Sequence, residues 1–69
     1  MNEDQVSIGQ KVALFNSMFM EHGEGTITDI DAHSFVVSFS NEWNDGETTN
    51  IIFVYGLLDD TSGNYELCP

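Results

Sequence analysis

Arginine is absent from the chain and lysine occurs once, at Lys11, against twelve Asp and Glu, which leaves a formal net charge of -11. Intramolecular salt bridges therefore have almost no cation to use. Phosphate backbones are bound through Lys and Arg, so this balance excludes direct nucleic-acid binding and attraction to an anionic membrane surface. A basic protein surface is the natural partner instead. Cysteine also occurs once, at Cys68, so no internal disulfide can form. With no clustered ligands around it, neither a disulfide scaffold nor a structural zinc site is expected. Long apolar runs are missing as well, and none approaches the ~20 residues that span a bilayer. The opening "MNEDQVSIG" lacks the basic and apolar regions of a secretory signal, so the expected location is the cytoplasm.

What is present is enough apolar material to fold. The 69 residues are 41% hydrophobic and include five Phe, two Tyr and one Trp, too apolar a composition for a disordered chain. One domain over residues 1–69 is expected, with 1–5 flexible and a thin core, because so short a chain buries only about 60% of its unfolded surface. A compact chain of this length has a diameter of roughly 28 Å, over which duplex DNA carries about 16 charges. Eleven negative charges make a comparable field if they gather on one side. Solubility and salt adaptation are the plainer explanations of such acidity.

No repeat interrupts the chain and no window keeps a helical period; short β-branched and aromatic runs alternate with turn signals, the pattern of an all-β protein. "KVALF" puts Val12 and Leu14 on one face after a turn at Gly9. In "GTITDI", Ile27 and Ile30 are three apart and share a face only if a β-bulge near Thr28 or Asp29 restores the phase. "HSFVVSF" alternates, with Phe35, Val37 and Phe39 together, and "DIDAH" before it suits a tight hairpin. "SNEWNDGETTN" reads as a polar loop turning at Asp45-Gly46. "IIFVY" carries Ile51, Phe53 and Tyr55 on one face, "LLDD" fits a single 3₁₀ turn, and "NYEL" makes a last short strand.

That order of elements resembles a Src-homology-3-like small barrel. "IGQKVALF…GEGTITDID…SFVVSF" is similar to its KOW-type variant, in which a G-x-x-V strand leads to a G-x-V/I-x-x-I strand. Gly9, Val12, Gly25, Ile27 and Ile30 carry the likeness, over about residues 8 to 39. The resemblance implies a five-stranded barrel with a long tip between its first two strands and a short 3₁₀ turn before the last. KOW-type domains commonly contact RNA or transcription and translation proteins, and the basic residues such RNA contacts would use are missing here.

Two apolar features invite a binding role. Met18, Phe19 and Met20 fall at the expected tip "NSMFMEHGE"; they either plug an open end of the barrel or meet a partner, and three consecutive extended residues cannot all face inward. Trp43, flanked by Glu42, Asp45 and Glu47, either covers the barrel edge or anchors an interface inside an acidic rim. Glu21, Glu24, Glu42, Asp45 and Glu47 would steer a basic partner while Phe19 and Trp43 supply the desolvated contact. In a meander barrel the clusters at 21–24 and 42–47 would fall at one end.

Catalytic and metal chemistry find no support in the pattern. Glu21, His22, Asp29, Asp31 and His33 read as neighbouring strand ends, but zinc needs three or four converging ligands. His33-Ser34 lacks a third group to orient a base, and Cys68 reads as a frayed terminal thiol with no positive charge beside it. No catalytic residue, metal or cofactor is expected. The leading expectation is a non-enzymatic inhibitor or adaptor for a basic surface of a DNA- or RNA-handling protein, acting by DNA mimicry. In character it resembles phage-encoded proteins that block host machinery. The alternative is a structural or regulatory barrel docking through an apolar edge, and open strand edges leave a homodimer available.

Overall fold

The computed structural model describes residues 2–18, 20–40 and 46–68. Five antiparallel strands, β1 (Lys11–Asn16), β2 (Glu21–Ile30), β3 (Ser34–Ser40), β4 (Thr48–Val54) and β5 (Tyr65–Cys68), form one sheet in the order β4-β3-β2-β1-β5. The five strands and the all-β make-up are as the sequence predicts, and the sheet curls into a half-barrel. Among the described residues there is no α-helix, and no helix is long and apolar enough to cross a membrane.

Alternation puts one side of each strand in the core. Val12 and Leu14 from β1, Ile27 from β2, Phe35 and Val37 from β3, Ile51 and Phe53 from β4 and Leu67 from β5 are all buried, and Val6, which carries no strand pattern, joins them. Phe35 and Phe53 stack with ring centroids 5.5 Å apart. The register between β2 and β3 shifts between Ile27 and Asp29, so Thr28 is the bulged residue that brings Ile30 back against the core. Gly9 takes φ 86° in the turn before β1, as its position predicts.

Two glycines on the inner face of β2 decide how tightly the sheet curls. A Cβ on Gly25 would collide with Val37 Cγ1 and sit 3.2 Å from both Leu14 Cδ1 and the Ser38 carbonyl oxygen. A Cβ on Gly23 would strike the edge of the Phe39 ring. The side chains of β3 thus lie across the backbone of β2, where any larger residue would hold the layers apart.

The connection after β4 corrects the expected 3₁₀ turn. Gly56 at φ 86° follows Tyr55 in a turn closed by Leu57 N–H donating to the Val54 carbonyl at 3.2 Å, and positive φ at that place is what a type II turn requires. The chain reverses there and runs back along β4. Several of its backbone groups then go to strands: Thr61 N–H donates to Ile52 O (3.0 Å), Asp60 N–H to Tyr65 O (2.9 Å) and Leu67 N–H donates to Leu58 O (2.8 Å), while the Asp60 carbonyl accepts Gly63 N–H at 3.2 Å. Bridges Phe53↔Asp60 and Asp59↔Glu66 complete the span. Residues 57–61 therefore link the two outer strands across the open side of the half-barrel. Among the described residues the 3₁₀ turn lies at Glu3–Gln5 instead, where Asn2 N–H donates to Gln5 Oε1 at 2.8 Å.

Asp60 holds this link in place. Its buried carboxylate accepts Ser62 Oγ–H at 2.6 Å and Tyr65 N–H at 3.1 Å. Removing it leaves the Tyr65 amide without that acceptor, so Asp60→Ala should cost about 2–3 kcal/mol, and Asp60→Asn, which keeps an acceptor oxygen, about 1 kcal/mol. Chemical denaturation measures both, and equal losses would contradict the assigned role. Gly25→Ala should cost about 2 kcal/mol, because fully buried Val37 and the β3 backbone cannot yield. Gly23→Ala should stay within about 1 kcal/mol of the parent: half-buried Phe39 can swing outward, and the lost chain entropy of glycine offsets part of the strain. The reverse order of the two would contradict the close approach at Gly25.

Candidate binding surface

The β1–β2 connection is short. Asn16 pairs with Glu21, so the expected long tip "NSMFMEHGE" reduces to residues 17–20, and Glu21, His22 and Glu24 belong to β2. Buried Asn16 accepts the Met18 amide on Oδ1 at 2.9 Å, and Ser17 donates from both N–H and Oγ–H to the Asn64 carbonyl. Ser17 is thus tied to Asn64, just before β5. Met18 and Met20 are 63% and 74% exposed, so neither plugs the core. Met20 also takes φ 53°, a left-handed conformation that costs a side-chain-bearing residue roughly 1–2 kcal/mol.

Of the residues expected to bind, Glu21 is half-buried on β2, Glu24 is exposed on β2 and Glu47 is exposed just before β4. All three lie toward the end of the sheet that carries the β1–β2 and β3–β4 connections. Phe19, Glu42, Trp43 and Asp45 lie outside the described residues. The acids are not confined to turns, since Glu21, Glu24 and Asp29 all sit within β2.

The presumed neighbours of a metal are separated. His22 lies near the start of the ten-residue β2, whereas Asp31 and His33 follow its far end. Among the described residues no three His, Cys, Asp or Glu side chains gather as a metal site. Cys68, expected to fray, is the last residue of β5 opposite Ala13, with Sγ 3.9 Å from His22 Nδ1 and the His22 ring 5.0 Å from that of Phe15. Comparison with protein-family models, with curated proteins and with solved structures finds no match.

Among the described residues the exposed charges are carboxylates apart from Lys11. Glu3, Asp4, Glu24, Asp29, Asp31, Glu47, Asp59 and Glu66 are exposed. Lys11, the sole basic side chain, donates to Thr26 Oγ1 at 2.9 Å and reaches no carboxylate among the described residues. The field reaches Tyr55, which packs on Phe35 with ring centroids 5.6 Å apart. Burial first, then the charges of Glu3 and Asp31, hold its phenol above the ordinary value of 10.0.

The Tyr55 hydroxyl is inaccessible and has no hydrogen-bond partner, so it is tolerated in the fold and not required by it. Tyr55→Phe should melt at neutral pH no lower than the parent. In the parent the folded state holds the phenolic proton more tightly than the unfolded state. Stability from this group is thus intact below pH about 10 and falls as pH rises through the raised value. The variant should lose less stability over that alkaline range in thermal melts. A clearly lower melting temperature at neutral pH would instead reveal a stabilising contact of the hydroxyl.

Proposed function

We propose that the protein is a non-catalytic binding module that engages a basic surface of a DNA- or RNA-handling protein in the cytoplasm, as a phage-encoded inhibitor or adaptor would. The observation that carries this reading is the uncompensated surface: eight exposed carboxylates among the described residues, with the single lysine engaged by a threonine. Along the 32 Å long axis of the molecule, duplex DNA would carry about 19 charges. A formal charge of -11 is more than half of that on a body narrower than its own length, which suits capture of a surface shaped for phosphates by DNA mimicry. Electrostatic steering would then set the association rate, and exposed Met18 and Met20 beside Glu21 would add apolar contact.

The finer assignment of the fold as a Src-homology-3-like barrel of KOW type is part of the same proposal. Gly25, Ile27 and Ile30 support it, since the bulge at Thr28 gives the G-x-I-x-x-I spacing a reason. The exposed aliphatic side chains favour a second reading, a structural or regulatory barrel whose docking is mainly apolar.

Competition separates the two. With the protein immobilised in a bacterial lysate, bound nucleic-acid-handling proteins should be released by moderate salt and by added duplex DNA. Glu21→Gln/Glu24→Gln/Glu47→Gln should lower the salt needed for release. A partner held at high salt and indifferent to DNA would contradict mimicry and leave the apolar reading.

A further inference from the structure

The solvent face of β3 and β4 carries an apolar strip between carboxylates. Asp29 pairs with Val36 and Val36 with Ile52, so one row of side chains runs from a carboxylate to two aliphatics. In the next row Asp31 N–H donates to Ser34 O, Ser34 pairs with Val54, and Leu57 closes its turn on the Val54 carbonyl. Ile52 is 46% and Val54 38% exposed, and Leu57 is exposed beside them. Beyond β4 the strip ends at the returning connection, where exposed Asp59 stands next to buried Asp60.

We infer that this strip docks a basic amphipathic helix of the partner, an inference that rests on the basic-surface reading above. From β2 across β3 and β4 to the connection is three strand spacings, about 14 Å. A helix about 10–12 Å across fits that width, its apolar face on Ile52 and Val54 and its flanking Lys or Arg reaching Asp29 and Asp31 on one side and Asp59 on the other. A strand cannot add at this place, because the edge of β4 at Ile52 and Phe53 is taken by Thr61 N–H and by the bridge to Asp60. A second copy of the chain is opposed by charge: it would bring carboxylates onto carboxylates, while its one lysine lies on β1 bonded to Thr26.

The probe is a synthetic peptide of about 18 residues, five helical turns, with Leu along one face and Lys and Arg on both flanks. A scrambled peptide of the same composition, with no apolar face, is the control. The amphipathic peptide should bind about tenfold more tightly than the scramble, and amide shift changes should centre on residues 29, 31, 36, 52, 54, 57 and 59. The double variant Ile52→Thr/Val54→Thr, which keeps β-branched side chains and hence the strand, should abolish that preference and leave scramble binding unchanged. Equal binding of both peptides would overturn the strip while leaving capture of basic surfaces intact, as would shifts centred on 21–24 and 47. Binding of neither peptide overturns the helix; if the lysate experiment also yields no salt- and DNA-sensitive partner, the basic-surface reading fails with it. A dimer in sedimentation that the double variant dissociates would assign the strip to self-association and overturn the inference.

Discussion

The close approach of Val37 to the backbone of Gly25 is the constraint on which the rest of the structure depends. With no Cβ at Gly25 or Gly23, the side chains of β3 can lie across β2. The curl that follows gathers nine buried apolar side chains from a short chain into one core. A flat sheet of this size with nothing packed on it would leave both faces of each strand in water, and a chain that buries only about 60% of its surface has little margin for that. The bulge at Thr28 works in the same direction, adding twist where β2 must keep both Ile27 and Ile30 against the core.

Curl brings the two outer strands within reach of one connecting segment. Residues 57–61 place backbone groups on both β4 and β5, and the buried Asp60 carboxylate orders the turn that leads into β5. The Asp60 carboxylate is thereby structural, while most of the other carboxylates among the described residues remain in solvent. Fold stability therefore rests mainly on apolar packing and backbone hydrogen bonds, with the exposed carboxylates taking little part in it. The apolar strip on the far side of β3 and β4 lies within that field.

Much of the fold was legible because strand alternation is a two-residue signal. The Phe35, Val37 and Ile51, Phe53 faces follow from it directly, and the odd spacing of Ile27 and Ile30 announced the bulge. The features that escaped were those set by partners distant in the chain. Val6 carries no alternation, yet it joins the core cluster that the strands build. "LLDD" resembles a 3₁₀ turn locally, but the Asp60 amide and the Leu58 carbonyl bond β5 and Asp60 bridges to Phe53 of β4. The β1–β2 connection looked long because Glu21 to Glu24 read as turn residues; pairing of Asn16 with Glu21 makes them strand. Cys68 looked solitary in sequence and meets His22 only through the β5–β1–β2 arrangement. For the candidate surface, acidity was legible from composition, whereas the apolar strip of Val36, Ile52, Val54 and Leu57 required knowledge of which strands are neighbours.

Native-state hydrogen exchange at the amides of Asp60, Thr61 and Leu67 tests most directly whether the curled sheet is closed by its last connection. If residues 57–61 link β4 to β5, these amides should exchange as slowly as Ile27 in the middle of the sheet, through the same global opening. Exchange at the rate of an unstructured loop would contradict the closure, and with it the rigid placement of Asp59 and Leu57 beside β4.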